Sequence, residues 1–294
     1  MTLRDLQLAQ LFRCIRWADV LILQGAPILG IAFSVGLITA AKLTALIFFC
    51  AASLLLVTHI FTFNDWAESV QAADSGGAAT PLATREDIRP SIPLFFSFSL
   101  LAASMLLFLF LSPRLFLLAV VIAAFGIFYS HPSLNAKSMP IISTLLHFAG
   151  GLLYFLLGYA LFSTLDLRSV LIGTFFGITF AAGHPIQEVR DFHEDRQVGA
   201  RTNAIVFGPR PNFFAGVILF TVQYLYLFLL AWSGLIPRFL ALLPIVFFPI
   251  HIWWTFLTLR RGLTSENIIR FQNQYRILYM LIGLVILVSL LLRR

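Results

Sequence analysis

Two groups of acidic side chains are the residues in this sequence best suited to do chemistry. The first group follows an apolar stretch and contains Asn64, Asp65 and Glu68, with Asp74 further along. If the helix continues past Phe63, the spacing i, i+1 and i+4 places the first three side chains on one face. All of these side chains offer oxygen ligands.

The second group contains Glu188, Asp191 and Asp195 at the spacing i, i+3 and i+7. This spacing predicts one stripe along an α-helix. Like charges at such positions repel by about 0.2–0.5 kcal/mol for each pair in an isolated helix, and the repulsion grows where water is excluded. We therefore expect the two groups, from different helices, to face one cavity and to hold cations there.

The ligand chemistry predicts a divalent cation together with a phosphate. Oxygen ligands favour Mg²⁺, Mn²⁺ or Ca²⁺ over zinc, and Mg²⁺ in particular is held by a few carboxylates together with substrate phosphates. The predicted metal ligands are Asn64, Asp65, Glu68, Glu188, Asp191 and Asp195. Positive charge for a phosphate is supplied by Lys137, Arg190, Arg196 and Arg201. These residues beside apolar stretches predict a diphosphate-ester site, with the ester's tail among Phe-rich spans.

Membrane-spanning helices are the elements that must position these residues. The sequence is 60% hydrophobic and 11% charged, whereas a soluble domain is about one quarter charged. A span needs roughly 20 mostly apolar residues, and about nine such stretches predict an all-α, polytopic transmembrane bundle. The predicted spans are residues 17–40, 43–63, 92–112, 114–130, 141–163, 169–187, 212–233, 237–258 and 275–292.

The distribution of charge predicts the orientation in the membrane. The N-terminal segment and the longer loops contain 14 of the 20 Lys and Arg residues and 12 of the 13 Asp and Glu residues. By the positive-inside rule we expect that face, with the N-terminus, to be cytoplasmic. With no recognisable transit peptide, a bacterial plasma membrane is favoured. The net charge of +7 is spread between apolar stretches and forms no basic patch, so nucleic acid is excluded as a partner.

Three motifs resemble those of the UbiA superfamily of intramembrane prenyltransferases. The run Arg190–Thr202 resembles the family's RDxxxDxxxGxRT motif, Asn64–Glu68 resembles its first acidic motif, and Tyr129–Lys137 resembles its YSxP…K loop. The resemblance implies a UbiA-like bundle with residues 1–294 as a single transmembrane prenyltransferase domain. Its cytoplasmic motif loops are residues 64–90, 131–140 and 188–211.

The resemblance also implies an activity. It is the Mg²⁺-dependent transfer of a prenyl group from a polyprenyl diphosphate to a small aromatic or other electron-rich lipophilic acceptor, within the lipid bilayer. The implied catalytic residues are Asp65, Asp191 and Lys137. The implied diphosphate-binding residues are Asn64, Lys137, Arg190, Arg196 and Arg201.

Several positions depart from the family pattern. Glu68 and Glu188 stand where Asp is usual, and Ala72 occupies the place of the first motif's last Asp, with Asp74 as a displaced candidate. Thr80-Pro81-Leu82 replaces the family's Arg-Pro-Leu and lacks its arginine, which argues against a benzoate-type acceptor.

Three other functions are compatible with parts of the pattern. A terpene cyclase on the same scaffold would keep both acidic motifs and need no acceptor. A non-catalytic family member would fit the departures in the first motif. A secondary transporter would place its acidic residues near the bilayer midplane, whereas here they lie at the ends of the predicted spans.

Overall fold

The protein is built from long apolar helices. The computed structural model describes residues 15–75 and 91–292, and no strand occurs among them. The helices are α1 (Trp17–Leu23), α2 (Gly25–Ser34), α3 (Ala40–Ser75), α4 (Ser91–Leu111), α5 (Pro113–Ser130), α6 (Ile142–Tyr159), α7 (Leu167–Arg190), α8 (Phe192–Gln197), α9 (Asn203–Phe207), α10 (Pro209–Trp232), α11 (Leu242–Arg261) and α12 (Ser265–Leu291). Short 3₁₀ turns occur at Ala136–Ser138 and Arg238–Ala241.

Nine helical segments of the described chain are long and apolar enough to cross a membrane. They are Trp17–Ser34, Ala40–Gln71, Ser91–Leu111, Pro113–Ser130, Ile142–Tyr159, Leu167–Arg190, Pro209–Trp232, Arg238–Arg261 and Ser265–Leu291. The predicted all-α class and the predicted number of spans are therefore confirmed.

Several helix boundaries differ from the predicted spans because polar caps and breaks are weakly visible in hydropathy. The first span is broken at Gln24 into α1 and α2. The last helix begins at Ser265 rather than at 275, since the Thr264 side chain accepts a hydrogen bond from the Asn267 amide and caps its first turn. The Asp166 side chain caps α7 in the same way by accepting from the Ser169 amide at 2.7 Å.

The helices fall into two compact units, and the first contains residues up to Gln24 together with Ile38–Ala136. In this unit α3 packs against α4 and α5. Buried polar side chains form hydrogen bonds between the helices. Ser104 donates to the Ala52 carbonyl at 2.8 Å, and Ser53 donates to the Gln24 side chain at 2.6 Å. These bonds satisfy groups that would otherwise be unpaired among apolar residues, and they fix the axis of α3.

The second unit contains Gly25–Leu37 and the chain from Lys137 onward. Its central helix is α7, which packs against α6 and α10. Glycines allow close approach here, since a Cβ at Gly158 would overlap the Pro27 carbonyl and a Cβ at Gly30 would overlap the Phe155 carbonyl. Small residues at helix crossings are typical of membrane proteins, where close van der Waals packing drives association.

Candidate active site

The first acidic group lies on the last part of α3. That helix continues through Ser75, so the segment from 64 onward, predicted as a loop, is helical as far as residue 75. The continuation occurs because no glycine or proline interrupts the chain before Gly76. Residues 76–90, including Thr80-Pro81-Leu82, and the side chain of Asp74 lie outside what the structure describes.

Asn64 and Glu68 are joined within this helix. Asn64 Nδ2 donates to Glu68 Oε1 at 2.9 Å, one turn later. Asn64 Oδ1 in turn accepts a hydrogen bond from Ser130 Oγ at 2.8 Å. The last residue of α5 therefore orients the amide, and Ser130 is a site residue that the sequence analysis quoted in a motif but did not assign.

Asp65 is paired with an arginine that the sequence analysis did not assign. Arg16 Nη1 lies 3.4 Å from Asp65 Oδ1, and Arg16 Nε lies 3.3 Å from Asp19 Oδ2. The guanidinium also stands over the Phe61 ring at 4.9 Å, a favourable cation–π arrangement. The Asp65 side chain is 13% exposed, so its charge is partly desolvated. Arg16 lies 49 residues away in the chain, which is why spacing alone gave no signal for this pair.

The second acidic group is not one continuous helical stripe, contrary to the prediction. Helix α7 ends at Arg190, and Asp191 has φ −91° and ψ 4°. The chain then starts the separate helix α8, which contains Asp195. The periodicity of 3.6 residues therefore does not extend across Asp191, and the three acidic residues occupy different surroundings.

Glu188 is buried inside a polar network, with 5% of its surface exposed. Its Oε1 accepts from Asn203 Nδ2 at 2.9 Å, and its Oε2 accepts from Asn212 Nδ2 at 3.0 Å. His184 Nε2 lies 3.6 Å from Oε1. The structure thus places this predicted metal ligand among amide donors in the interior of the protein.

Arg190 and Asp191 form an ion pair that contains two hydrogen bonds. Arg190 Nε donates to Asp191 Oδ1 and Nη2 donates to Oδ2, both at 2.6 Å. A third guanidinium nitrogen, Nη1, donates to Gln272 Oε1 at 3.3 Å. The bidentate geometry gives one fixed orientation of the carboxylate, so Arg190 positions Asp191.

Asp195 lies on α8 and accepts a hydrogen bond from Thr202 Oγ1 at 3.2 Å. Burial, followed by the negative charge of Asp191, raises the pKa of Asp195 to about 7, while the Thr202 hydrogen bond and the charge of Lys137 act in the opposite direction. The charge of Glu188 also raises this pKa, so Lys137, Glu188 and Asp191 all act electrostatically on Asp195. A cation near these carboxylates would relieve their repulsion.

The basic residues predicted to bind the diphosphate differ in their exposure to solvent. Lys137 is half-buried in the 3₁₀ turn Ala136–Ser138, whereas Arg196 and Arg201 are exposed to solvent. Their guanidinium groups are therefore accessible to an anionic ligand. The predicted motif loop 188–211 is largely helical, because it contains the end of α7, all of α8 and α9, and the start of α10.

The donor chemistry of these residues fits Mg²⁺. The accessible ligands are carboxylate and amide oxygens, which hard divalent cations prefer. Within residues 15–75 and 91–292, no three His, Cys, Asp or Glu side chains converge closely enough to hold a metal by themselves. Protein sites for Mg²⁺ commonly use one or two carboxylates and complete the shell with water and substrate phosphates.

Comparison with known proteins shows the family. The model of the UbiA prenyltransferase family matches residues 26–291, and this chain belongs to that family. It is an integral membrane protein with the nine candidate spans described above. Comparison with individual proteins of curated function gives no match.

Solved structures share the fold. A UbiA homologue from Archaeoglobus fulgidus, bound to DMAPP and Mg²⁺, is 17% identical, with 94% of this chain and 98% of that chain covered and a TM-score of 0.71. A digeranylgeranylglyceryl phosphate synthase is 16% identical, with coverages of 97% and 98% and a TM-score of 0.71. A UbiA homologue from Aeropyrum pernix K1 is 16% identical, with coverages of 92% and 97% and a TM-score of 0.68.

Proposed function

We propose that this protein is a Mg²⁺-dependent intramembrane prenyltransferase. It transfers a prenyl group from a polyprenyl diphosphate to an aromatic or other electron-rich lipophilic acceptor. The observation that carries the proposal is the grouping of Asp191 and Asp195 with Arg190 and within the field of Lys137, at the positions of the family's second acidic motif. Family membership over residues 26–291 supports one prenyltransferase domain.

Both acidic groups supply oxygen ligands for the metal in this proposal. The residues that would hold Mg²⁺ are Asn64, Asp65, Glu68, Asp191 and Asp195. When bound, the ion acts as a Lewis acid that stabilises negative charge on the diphosphate oxygens. The A. fulgidus homologue was solved with Mg²⁺ together with DMAPP and, separately, with GPP, and these ligands are of the chemical class proposed here.

The chain's own residues bind the diphosphate and assist its departure. Lys137 provides a compact positive charge, and Arg196 and Arg201 provide planar forks that match phosphate oxygens. Arg190 keeps Asp191 oriented through its two hydrogen bonds. As the bond between the allylic carbon and the diphosphate oxygen breaks, both of its electrons leave with pyrophosphate, and these cations neutralise the growing charge.

The prenyl carbon then forms a bond with the acceptor, which loses a proton. An allylic cation reacts rapidly with water, so apolar surroundings protect it until the acceptor attacks. The abundant Phe residues of the spans, 31 in the chain, provide such surroundings. We propose that the acidic motifs and the N-terminus lie on the cytoplasmic side of the membrane, as the distribution of Lys and Arg favours, and that this membrane is a bacterial plasma membrane.

The test is the release of pyrophosphate from geranyl, farnesyl and longer prenyl diphosphates by purified protein, with Mg²⁺ and with EDTA. Each assay is run with and without a panel of aromatic and lipophilic acceptors. Mg²⁺-dependent release that rises with one acceptor, together with a prenylated product, is the expected result. Release that is independent of every acceptor would favour a terpene cyclase. Folded protein that releases none would overturn the enzymatic proposal.

A further inference from the structure

Glu188 occupies a motif position at which the sequence predicts a metal ligand, yet both of its carboxylate oxygens accept hydrogen bonds from amide groups. Each oxygen accepts from the side chain of a different asparagine, at 2.9 Å from Asn203 and 3.0 Å from Asn212. The Asn203 backbone amide also donates to Oε1 at 3.3 Å. Glu188, Asn203 and Asn212 are 4–5% exposed. A buried carboxylate in such a setting depends on its donors, because an uncompensated charge there is costly.

Asn203 extends this network to the segment that carries Lys137. The Ile141 amide donates to Asn203 Oδ1 at 2.6 Å, and Asn203 Nδ2 donates to Ser143 Oγ at 3.1 Å. Ile141 has φ +69°, a left-handed conformation that is uncommon for a β-branched residue. Its hydrogen bond to Asn203 therefore holds an unfavourable backbone conformation four residues after Lys137, immediately before α6.

Asn203 is also adjacent to the residue that orients Asp195. Thr202 Oγ1 donates to Asp195 Oδ2 at 3.2 Å, and Asn203 follows it as the first residue of α9. Fixing Asn203 on Glu188 therefore fixes the backbone from which Thr202 reaches Asp195. One asparagine is thus connected by short chain segments to both Lys137 and Asp195.

We propose that Glu188 and Asn203 are a positioning pair, and that Glu188 acts through Asn203 rather than as a ligand of Mg²⁺. The pair holds the Lys137 segment and the Thr202–Asp195 contact in the arrangement that the diphosphate and its metal require. The inference rests on the proposed function for its catalytic readout only. Partners that orient ligating carboxylates typically contribute 10–100-fold to metal affinity or activity.

The decisive experiment exchanges the two groups. Glu188→Gln places an amide donor where the structure has an acceptor, and Asn203→Asp removes the donor that Glu188 needs. We expect each single variant to lose about tenfold or more of kcat.

In the double variant Glu188→Gln/Asn203→Asp the amide and the carboxylate have changed places, so the new amide at position 188 can donate to the new carboxylate at position 203. The Ile141 amide still has its acceptor. We expect kcat of the double variant to be at least about threefold above that of either single variant, with the Mg²⁺ concentration for half-maximal rate equal to that of the wild type. Recovery is incomplete because the Asn203 backbone amide, which donates to Glu188 Oε1, loses its acceptor.

The opposite result has a distinct signature. If Glu188 binds the metal directly, the double variant stays as inactive as Glu188→Gln and needs more Mg²⁺, since an amide replaces a ligating carboxylate. That outcome would overturn the proposal. The control for the loss of charge is Glu266→Gln in the first turn of α12, where the Glu266 side chain is 86% exposed; its activity should remain that of the wild type.

A second measurement does not depend on catalysis. Hydrogen–deuterium exchange of the metal-free protein in detergent should become faster in residues 137–144 and 195–206 of Asn203→Asp, and slow again toward the wild-type rate in the double variant. Unchanged exchange in Asn203→Asp would overturn the positioning role. If wild-type protein showed no pyrophosphate release while exchange followed the expected pattern, the proposed function would fail and the pairing would stand.

Discussion

Arg190 donates two hydrogen bonds to the carboxylate of its chain neighbour Asp191, each 2.6 Å long. The pair forms at the end of α7, where the helical conformation stops at Asp191. Because the Arg190 guanidinium group contacts both oxygens of the Asp191 carboxylate, that carboxylate has one defined orientation. Lysine cannot reproduce this geometry, since it offers a single ammonium group at the end of a flexible chain.

Replacing Arg190 by lysine should therefore reduce activity although the charge is kept. We expect Arg190→Lys to lower kcat/KM for pyrophosphate release by about tenfold, because Asp191 loses its fixed orientation. The control is Arg270→Lys, since Arg270 makes an exposed pair with Glu266 at 3.7 Å, and pairs of this kind contribute little. Equal activity of Arg190→Lys and wild type would contradict a positioning role for the guanidinium.

Removing the charge of Asp65 tests the first acidic group. Asp65→Asn keeps the size of the side chain but removes a carboxylate that is 13% exposed and paired with Arg16. We expect Mg²⁺-dependent turnover to fall by about 100-fold, with a higher Mg²⁺ requirement, as the first ligand shell is impaired. Asp191→Asn should behave in the same way. Normal turnover in both variants would count decisively against the proposed mechanism, and Glu266→Gln serves as the surface control.

The packing of α2 on α6 can be tested at a glycine. In Gly158→Ala the added methyl group would overlap backbone atoms of Pro27, so the helices must move apart. We expect a loss of about 1–3 kcal/mol in stability, as in other overpacked cores. Gly150→Ala, eight residues earlier in the same helix, meets nothing within 4 Å, and its thermal transition in detergent should match or slightly exceed that of the wild type. Equal transitions in the two variants would show that the contact tolerates expansion.

The cap of α7 predicts a pH dependence of stability. A hydrogen bond from the Ser169 backbone amide is the main reason that the pKa of Asp166 lies below its ordinary value of 3.8. The ionised form thus favours the folded state, and this contribution is complete above the unfolded-state pKa and is lost as the pH falls through the lower folded-state pKa.

Asp166→Asn keeps an acceptor for the Ser169 amide but has no charge to lose. The wild type should have the higher melting temperature at about pH 6, and the difference should shrink toward about pH 3. A difference that stays constant over this interval would show that the charge does not contribute. Ser169→Ala keeps the backbone amide, which lowers the pKa of Asp166 most, but removes the hydroxyl, which lowers it further; this variant should therefore retain most, but not all, of the pH-dependent component.

Much of the architecture could be predicted because hydropathy is a local property of the chain. Apolar stretches of membrane-spanning length indicated the all-α class and about nine spans, and the described residues 15–75 and 91–292 contain nine candidate spans. The boundaries were less accurate at Gln24 and Ser265, where a break and a side-chain cap decide the helix ends. These features depend on single hydrogen bonds, which an averaged hydropathy does not register.

The candidate site, like the architecture, could be predicted from the sequence only in part. Residue types and spacing by themselves indicated a membrane protein with two acidic groups and basic residues near them, and the resemblance to the UbiA superfamily implied that these residues serve a prenyl diphosphate. Only the tertiary structure decided that Glu188 is enclosed by Asn203 and Asn212, and that Asp65 is paired with Arg16. Spacing fixes which side chains share a helical face while the helix lasts. It does not determine where the helix ends or which distant donors pack against each carboxylate, since those contacts form only when the helices come together.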